Sequence, residues 1–118
     1  MDGISTYQES SIGTQSKGRL IVMLYDGAIR FLKLAIMEME KNNFEAKGRY
    51  INKALDIIAE LNVVLDMDTG GEIAGNLRQL YNFMSNRLSE ANIKCDPELV
   101  RDVIKLLEEL NSGWKAIV

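Results

Sequence analysis

Histidine is absent from the 118 residues, and cysteine, proline and tryptophan occur once each. Without histidine, neither a Ser-His-Asp nor a Cys-His nucleophilic arrangement can be built, and the Glu-x-x-His pattern of di-iron helical bundles is excluded. The single thiol, Cys95, rules out an intrachain disulfide and fits a reducing compartment. There is no basic excess: 14 Lys and Arg against 17 Asp and Glu give a formal net charge of −3. A phosphate-binding surface needs the opposite balance, so nucleic acid is not an expected partner. The opening MDGISTYQESS has neither the cationic region nor the apolar core of a secretory signal. The richest apolar stretch, Leu20–Met39, carries Asp26, Arg30, Lys33 and Glu38, which argues against a membrane span and against direct membrane insertion.

Alternating strand patterns and internal repeats are missing as well, and helical periodicity fills the chain instead. Residues 1–16, rich in Ser, Thr, Gly and Gln, are expected to form a mobile N-terminal arm. Residues 17–118 then form one helical domain. Helix 1 is expected from a Ser16 cap to about Lys41, and helix 2 from Phe44 to Leu65, with Ile51, Ala54, Ile58, Leu61 and Leu65 on one stripe. The turn Asp66–Gly71, DMDTGG, ends it, because paired glycines accept the left-handed backbone of a helix terminus. Helix 3 runs from Glu72 to Ile93, with Ile73, Leu77, Leu80, Met84, Leu88 and Ala91 inward. Asp96-Pro97-Glu98 starts helix 4: an N-cap, a proline at the first helical position and an acid behind it. Four long helices on short links predict an all-α, antiparallel up-down four-helix bundle.

Few residues could carry chemistry in such a bundle. Asp66, Asp68 and Glu72 imitate the opening of a calcium loop, yet that register puts Gly70 and Leu77 where oxygen ligands are required. No metal site and no cofactor are expected. The surviving enzymatic option is the device of small helical chorismate mutases, which surround a dianion with cations. Arg30, Lys33, Lys53, Arg78 and Arg87 lie off the apolar stripes, so they read as solvated faces and the chain as non-enzymatic.

Surplus apolar residues are the positive signal. Leu20, Leu24, Ala28, Phe31, Ala35 and Met39 make a sufficient seam for helix 1, leaving Val22, Met23, Ile29, Ile36 and Met37 on its other sides. Helix 2 has a second row at Tyr50, Ile57 and Val64, and helix 3 adds Tyr81 and Phe83. A lone small bundle needs one stripe per helix. The excess, with six adaptable methionines, suits a groove that receives segments of another chain. A homodimer in the absence of a client is the alternative way of covering it.

LIVMLYDGAIRFLKLA (Leu20–Ala35), INKALDIIAELNVVLDMDTGGEIAGNLRQLY (Ile51–Tyr81), RLSEANIK (Arg87–Lys94) and LLEELNSGWK (Leu106–Lys115) closely resemble the flagellar secretion chaperones of the FliS type. The likeness spans Tyr7 to Lys115, and the LYDGA, KA-x-x-I-I-x-x-LN and EAN elements are far more specific than a generic bundle pattern. The resemblance implies a cytoplasmic, ATP-independent chaperone of type III export without catalysis. Its client would be the disordered C-terminal segment of flagellin, kept from premature polymerisation and handed to a membrane protein of the flagellar export gate. Relatives usually carry Thr-x-x-Pro before helix 1, whereas Thr14-Gln15-Ser16-Lys17 here has no proline.

On this reading the flagellin-binding residues are Tyr25 and Asp26 on helix 1, Ile57, Leu61, Asn62 and Val64 on helix 2, and Tyr81 and Met84 on helix 3. Tyr25 and Tyr81 are expected to act as aromatic anchors, Asn62 to hold client backbone, and Asp26 to pair with Arg30 one turn away. Ile4 and Tyr7, three residues apart in the arm, share one face of a helical turn. The resemblance implies that they cap the client groove or contact the export gate.

Overall fold

A computed structural model of the chain describes residues 3–65, 67 and 70–118, with the backbone alone for residues 3–16. Four helices follow one another: α1 (Gly3–Glu40), α2 (Phe44–Val64), α3 (Gly71–Lys94) and α4 (Pro97–Ile117). Helix α1 packs on α2 and α4, and α3 completes the square against the same two neighbours. No strand occurs among the described residues. The expected up-down bundle is the observed one.

Local signals explain most boundaries. Asn42 takes a left-handed backbone (φ 58°) and lets the chain reverse after α1. The Asn43 side chain then accepts the Ala46 N–H at 3.2 Å, capping α2. Asp96 does the same for α4, its Oδ1 accepting from the Glu98 N–H at 3.0 Å, with Pro97 in the first turn. Cys95 ends α3 in the left-handed region (φ 51°), and its N–H reaches the Ala91 carbonyl. Between α2 and α3, Gly71 takes φ +55° as the paired glycines suggest, while Asp66, Asp68 and Thr69 of this turn lie outside the described residues.

Two expectations require correction. Helix α1 begins at Gly3, well upstream of the Ser16 cap read from the sequence. Residues 3–16 contain no proline, so nothing in the backbone chemistry stops the helix from continuing through them. The inward face of α1 is also rotated. Tyr25, Ala28, Leu32, Ala35 and Met39 are buried, with Ile29 and Ile36 beside them, whereas Leu20 is exposed and Leu24 and Phe31 are only partly covered. Both strips are apolar, so periodicity alone could not choose between them.

The core is completed by Ile51, Ala54, Ile58 and Leu61 of α2, Met84, Leu88 and Ala91 of α3, and Val100, Val103 and Leu107 of α4. On α3, Tyr81 turns inward and Ile73 outward, the reverse of the expected stripe. No helix of the described residues is long and apolar enough to cross a membrane.

Candidate functional site

At the end of the bundle where α1 enters, α2 finishes, α3 starts and α4 finishes, the four helices leave a groove of about 320 Å³. Its walls are Ile21 from α1, Leu61, Val64 and Leu65 from the end of α2, Ile73, Leu77 and Tyr81 from α3, and Trp114 and Ile117 from α4. Lys17 is the one charged side chain in the lining among the described residues. Ile73 and Ile117 are each 75% or nearly so exposed, at 73% and 75%. Large aliphatic groups left this open at the mouth of an apolar concavity make this end the candidate binding surface. Leu20, Val63, Met67 and Val118, also exposed, widen the apolar territory at the same end.

The sequence-derived residues divide into three groups. Leu61, Val64 and Tyr81 line the groove. Ile57, Asp26 and Asn62 sit on the flanks. The Ile57 methyl group Cδ1 faces Gly27 so closely that a Cβ there would stand 3.3 Å from it. Asn62 donates from Nδ2 to Asn82 Oδ1 at 3.4 Å, and its backbone carbonyl accepts from Arg78 at 3.2 Å. Tyr25 and Met84 form the third group. They are fully enclosed and line no opening, so the expectation that Tyr25 is a surface anchor gives way to a core role.

The two tyrosines share a buried hydrogen bond, Tyr25 Oη to Tyr81 Oη at 2.7 Å, with their rings edge to face at 6.4 Å. Burial pushes the Tyr25 phenol upward, opposed by its hydrogen bonds to Tyr81 and Trp114. Burial pushes Tyr81 well above the usual phenol range, and the bond to Tyr25 adds to the shift. Both stay protonated, and the pair fixes α1 against α3 directly behind the groove wall.

Asp26 does not take Arg30 as its partner. Its Oδ1 accepts from Asn111 Nδ2 at 2.8 Å and faces Lys115 Nζ at 3.2 Å, both on α4. Arg30 instead lies over the Phe31 ring at 5.5 Å, with Lys53 at the same distance. Lys33 pairs with Glu108, Arg87 with Asp102, and Arg78 caps Asn62. Apart from Arg30 and Lys53, which share the Phe31 ring, these cations are engaged in separate local contacts.

Two polar residues passed over by the sequence reading are buried, Asn111 at 3% and Lys47 at 7% exposure. Lys47 donates to the Asn92 carbonyl at 2.9 Å and to Asn92 Oδ1 at 2.8 Å, clasping α2 to the last turn of α3 at the end remote from the groove. Each stands at helical spacing within an apolar stripe, Lys47 before Ile51 and Ala54, and Asn111 between Leu107 and Trp114. A polar residue in that register was the available signal.

The sequence model of the family described as flagellar protein FliS matches residues 1–118. The chain is 41% identical over 109 residues to the flagellar secretion chaperone FliS of Vibrio cholerae, covering 92% of this chain and 80% of the relative. It is 41% identical over 121 residues to the flagellar secretion chaperone FliSB of Pseudomonas aeruginosa, covering 99% and 96%. Against the flagellar secretion chaperone FliS of Bacillus subtilis the identity is 32%, over 97% of this chain and 84% of the relative.

Proposed function

The chain belongs to the flagellar protein FliS family, a family of export chaperones and not of enzymes, and from that premise we propose that it binds the disordered C-terminal segment of flagellin in the cytoplasm. Binding keeps the segment from polymerising early and presents it to a membrane protein of the export gate. The observation that supports this reading most is the apolar groove at the end of the bundle, with Ile73 and Ile117 open at its mouth. A client that folds on such a surface can bury on the order of 1,000–3,000 Å², part of the gain being offset by its own ordering.

Val64 forms the receiving wall with Ile73, Leu77 and Trp114, which are added to the residues expected from sequence, over a floor of the enclosed Leu61 and Tyr81. Ile57, Asn62 and Asp26 border the route of a client that continues over the flanks. Tyr25 and Met84 hold the wall from behind. Ile4 and Tyr7, whose side chains lie outside the described residues, are assigned the role of capping the groove before a client arrives or contacting the gate.

Calorimetric titration with a peptide spanning the flagellin C-terminal segment tests the reading. Wild type binds with a gain in peptide helicity. Ile73→Asp places a charge in the apolar groove at an exposed position, so it weakens binding more than tenfold with little change in melting temperature. Ile93→Asp, also highly exposed but at the opposite end of α3, serves as the control. Absence of wild-type binding at micromolar concentration, or equal effects of both variants, contradicts the reading. Light scattering of the unliganded protein separates it from a dimer that peptide cannot dissociate.

A further inference from the structure

The apolar groove leaves part of the surplus on α1 unused. Met23 and Met37 are 68% and 50% exposed, and neither lines it. Met23, Gly27, Arg30, Leu34 and Met37 follow one another at spacings of four, three, four and three. They therefore share one face of α1, opposite the side that buries Tyr25, Leu32 and Met39. At 1.5 Å per residue the two methionines stand about 21 Å apart along the helix. Gly27 has no side chain, so the stripe dips between Met23 and Arg30, where Ile57 of α2 closes the seam.

A cation–aromatic cluster occupies the middle of this face. Phe31 stacks on Tyr50 of α2, with ring centroids 6.2 Å apart and planes inclined by 24°. Arg30 and Lys53, both exposed, each place their charge 5.5 Å from the Phe31 centroid. Neither makes an ion pair among the described residues, unlike Lys33, Arg49 and Lys94. The ring attracts each cation without neutralising it, and two like charges on one ring repel each other. In a chain of net charge −3 this is a local positive site, with an exposed methionine on either side of it along α1. Carboxylates supplied from outside would relieve the repulsion and gain charge-assisted hydrogen bonds to the guanidinium. The thioethers ask for apolar side chains flanking those acids. Side chains at three-and-four spacing present ridges that fit the grooves of another helix, and about 14 helical residues span the distance between the methionines.

We propose that the outward stripe of α1, together with Lys53 and Tyr50 of α2, docks an acidic amphipathic helix of a partner protein other than the client. Its carboxylates pair with Arg30 and Lys53, and its apolar side chains rest on Met23 and Met37. The two surfaces are separate, so the partner and the occupant of the groove can be held at the same time.

Photocrosslinking in the native cell tests this. The photoreactive residue p-benzoylphenylalanine, in place of Met23 or Met37 in the full chain, traps one partner segment, in cells with flagellin and equally in cells lacking it. Mass spectrometry of the adduct finds acids between apolar residues at helical spacing. Arg30→Glu with Lys53→Glu, both at exposed positions, leaves the melting temperature nearly unchanged and cuts the adduct roughly tenfold or more. Lysine in place of the partner's acids restores it against the reversed chain. As a synthetic peptide, the trapped segment binds wild type roughly five- to tenfold more tightly than Arg30→Gln with Lys53→Gln, and the difference shrinks at high salt. No adduct, an adduct with a second copy of the chain, one that disappears without flagellin, or one indifferent to the charge at positions 30 and 53 overturns the inference. Failure of the flagellin peptide to bind the groove would remove the client reading and leave this inference standing.

Discussion

Tyr25 and Tyr81 touch hydroxyl to hydroxyl at 2.7 Å in the interior, although 56 residues separate them in the chain. Each phenol supplies the other's buried polar partner, so neither side chain is free to swing out and serve as an anchor for a bound peptide. The contact ties α1 to α3, two helices that otherwise face each other only across the core of the square.

This mutual satisfaction predicts strong coupling. Tyr25→Phe strands the buried Tyr81 hydroxyl and lowers unfolding free energy by about 1–3 kcal/mol, whereas Tyr81→Phe leaves Tyr25 its Trp114 partner and costs less. The double variant loses less than the sum, because neither phenol is left without the other, and the interaction in a double-mutant cycle exceeds about 0.5 kcal/mol. Chemical denaturation of the four proteins measures it; additive losses would falsify the pairing.

The same burial predicts a base-labile bundle. Both phenols titrate above the unfolded value of about 10. Between the unfolded and folded values the native state holds more protons than the unfolded state, so stability falls as pH rises there and is unaffected by these groups below it. Denaturation midpoints should hold steady to about pH 9 and decline beyond about pH 10. The double phenylalanine variant should show a shallower decline, and an unchanged slope would assign the effect to other groups.

Gly27 lets α1 approach Ile57 of α2, with room for a Cβ only at 3.3 Å from Ile57 Cδ1. Gly27→Ala gains up to about 1 kcal/mol of helix propensity against that tight contact and stays near wild type. Gly27→Leu overfills the seam and destabilises by roughly 1–3 kcal/mol. Melting curves that rank leucine equal to alanine would show the seam to be loose.

Lys47→Met removes the donor to both Asn92 acceptors while keeping the length of the side chain. Stability should drop by about 1–3 kcal/mol. Affinity for the flagellin peptide should not change, since the clasp lies at the far end from the groove. A matching loss of affinity would place part of the binding surface at that end.

The sequence was most informative where local chemistry decides the outcome. Asp96-Pro97-Glu98 caps α4 as its residue types require, and the 51, 54, 58, 61 spacing buries those four residues of α2. It was least informative about rotation. Helix α1 is apolar on two adjacent strips, and the choice of Tyr25 and Leu32 over Leu20 and Leu24 as its inward face depends on partners from α3 and α4 that local pattern does not contain. For the same reason Ile73, placed inward by its spacing, belongs to the rim of the groove. Val64 and Tyr81 were legible as apolar excess and Leu61 as part of the main stripe of α2; the Asp26–Asn111 contact, spanning 85 residues, was not.

The distribution of helix caps gives the bundle two unlike ends. Asn43, Asp96, the Cys95 amide and the Lys47–Asn92 clasp all gather at one end, where Arg101 also reaches Glu40 at 3.6 Å. At the other, the cap position of α3 is Gly70, which has no side chain of its own to close the first turn. Polar fastening is thus concentrated at one end of the bundle, while the grooved end rests mainly on apolar packing, where fewer polar ties resist local opening.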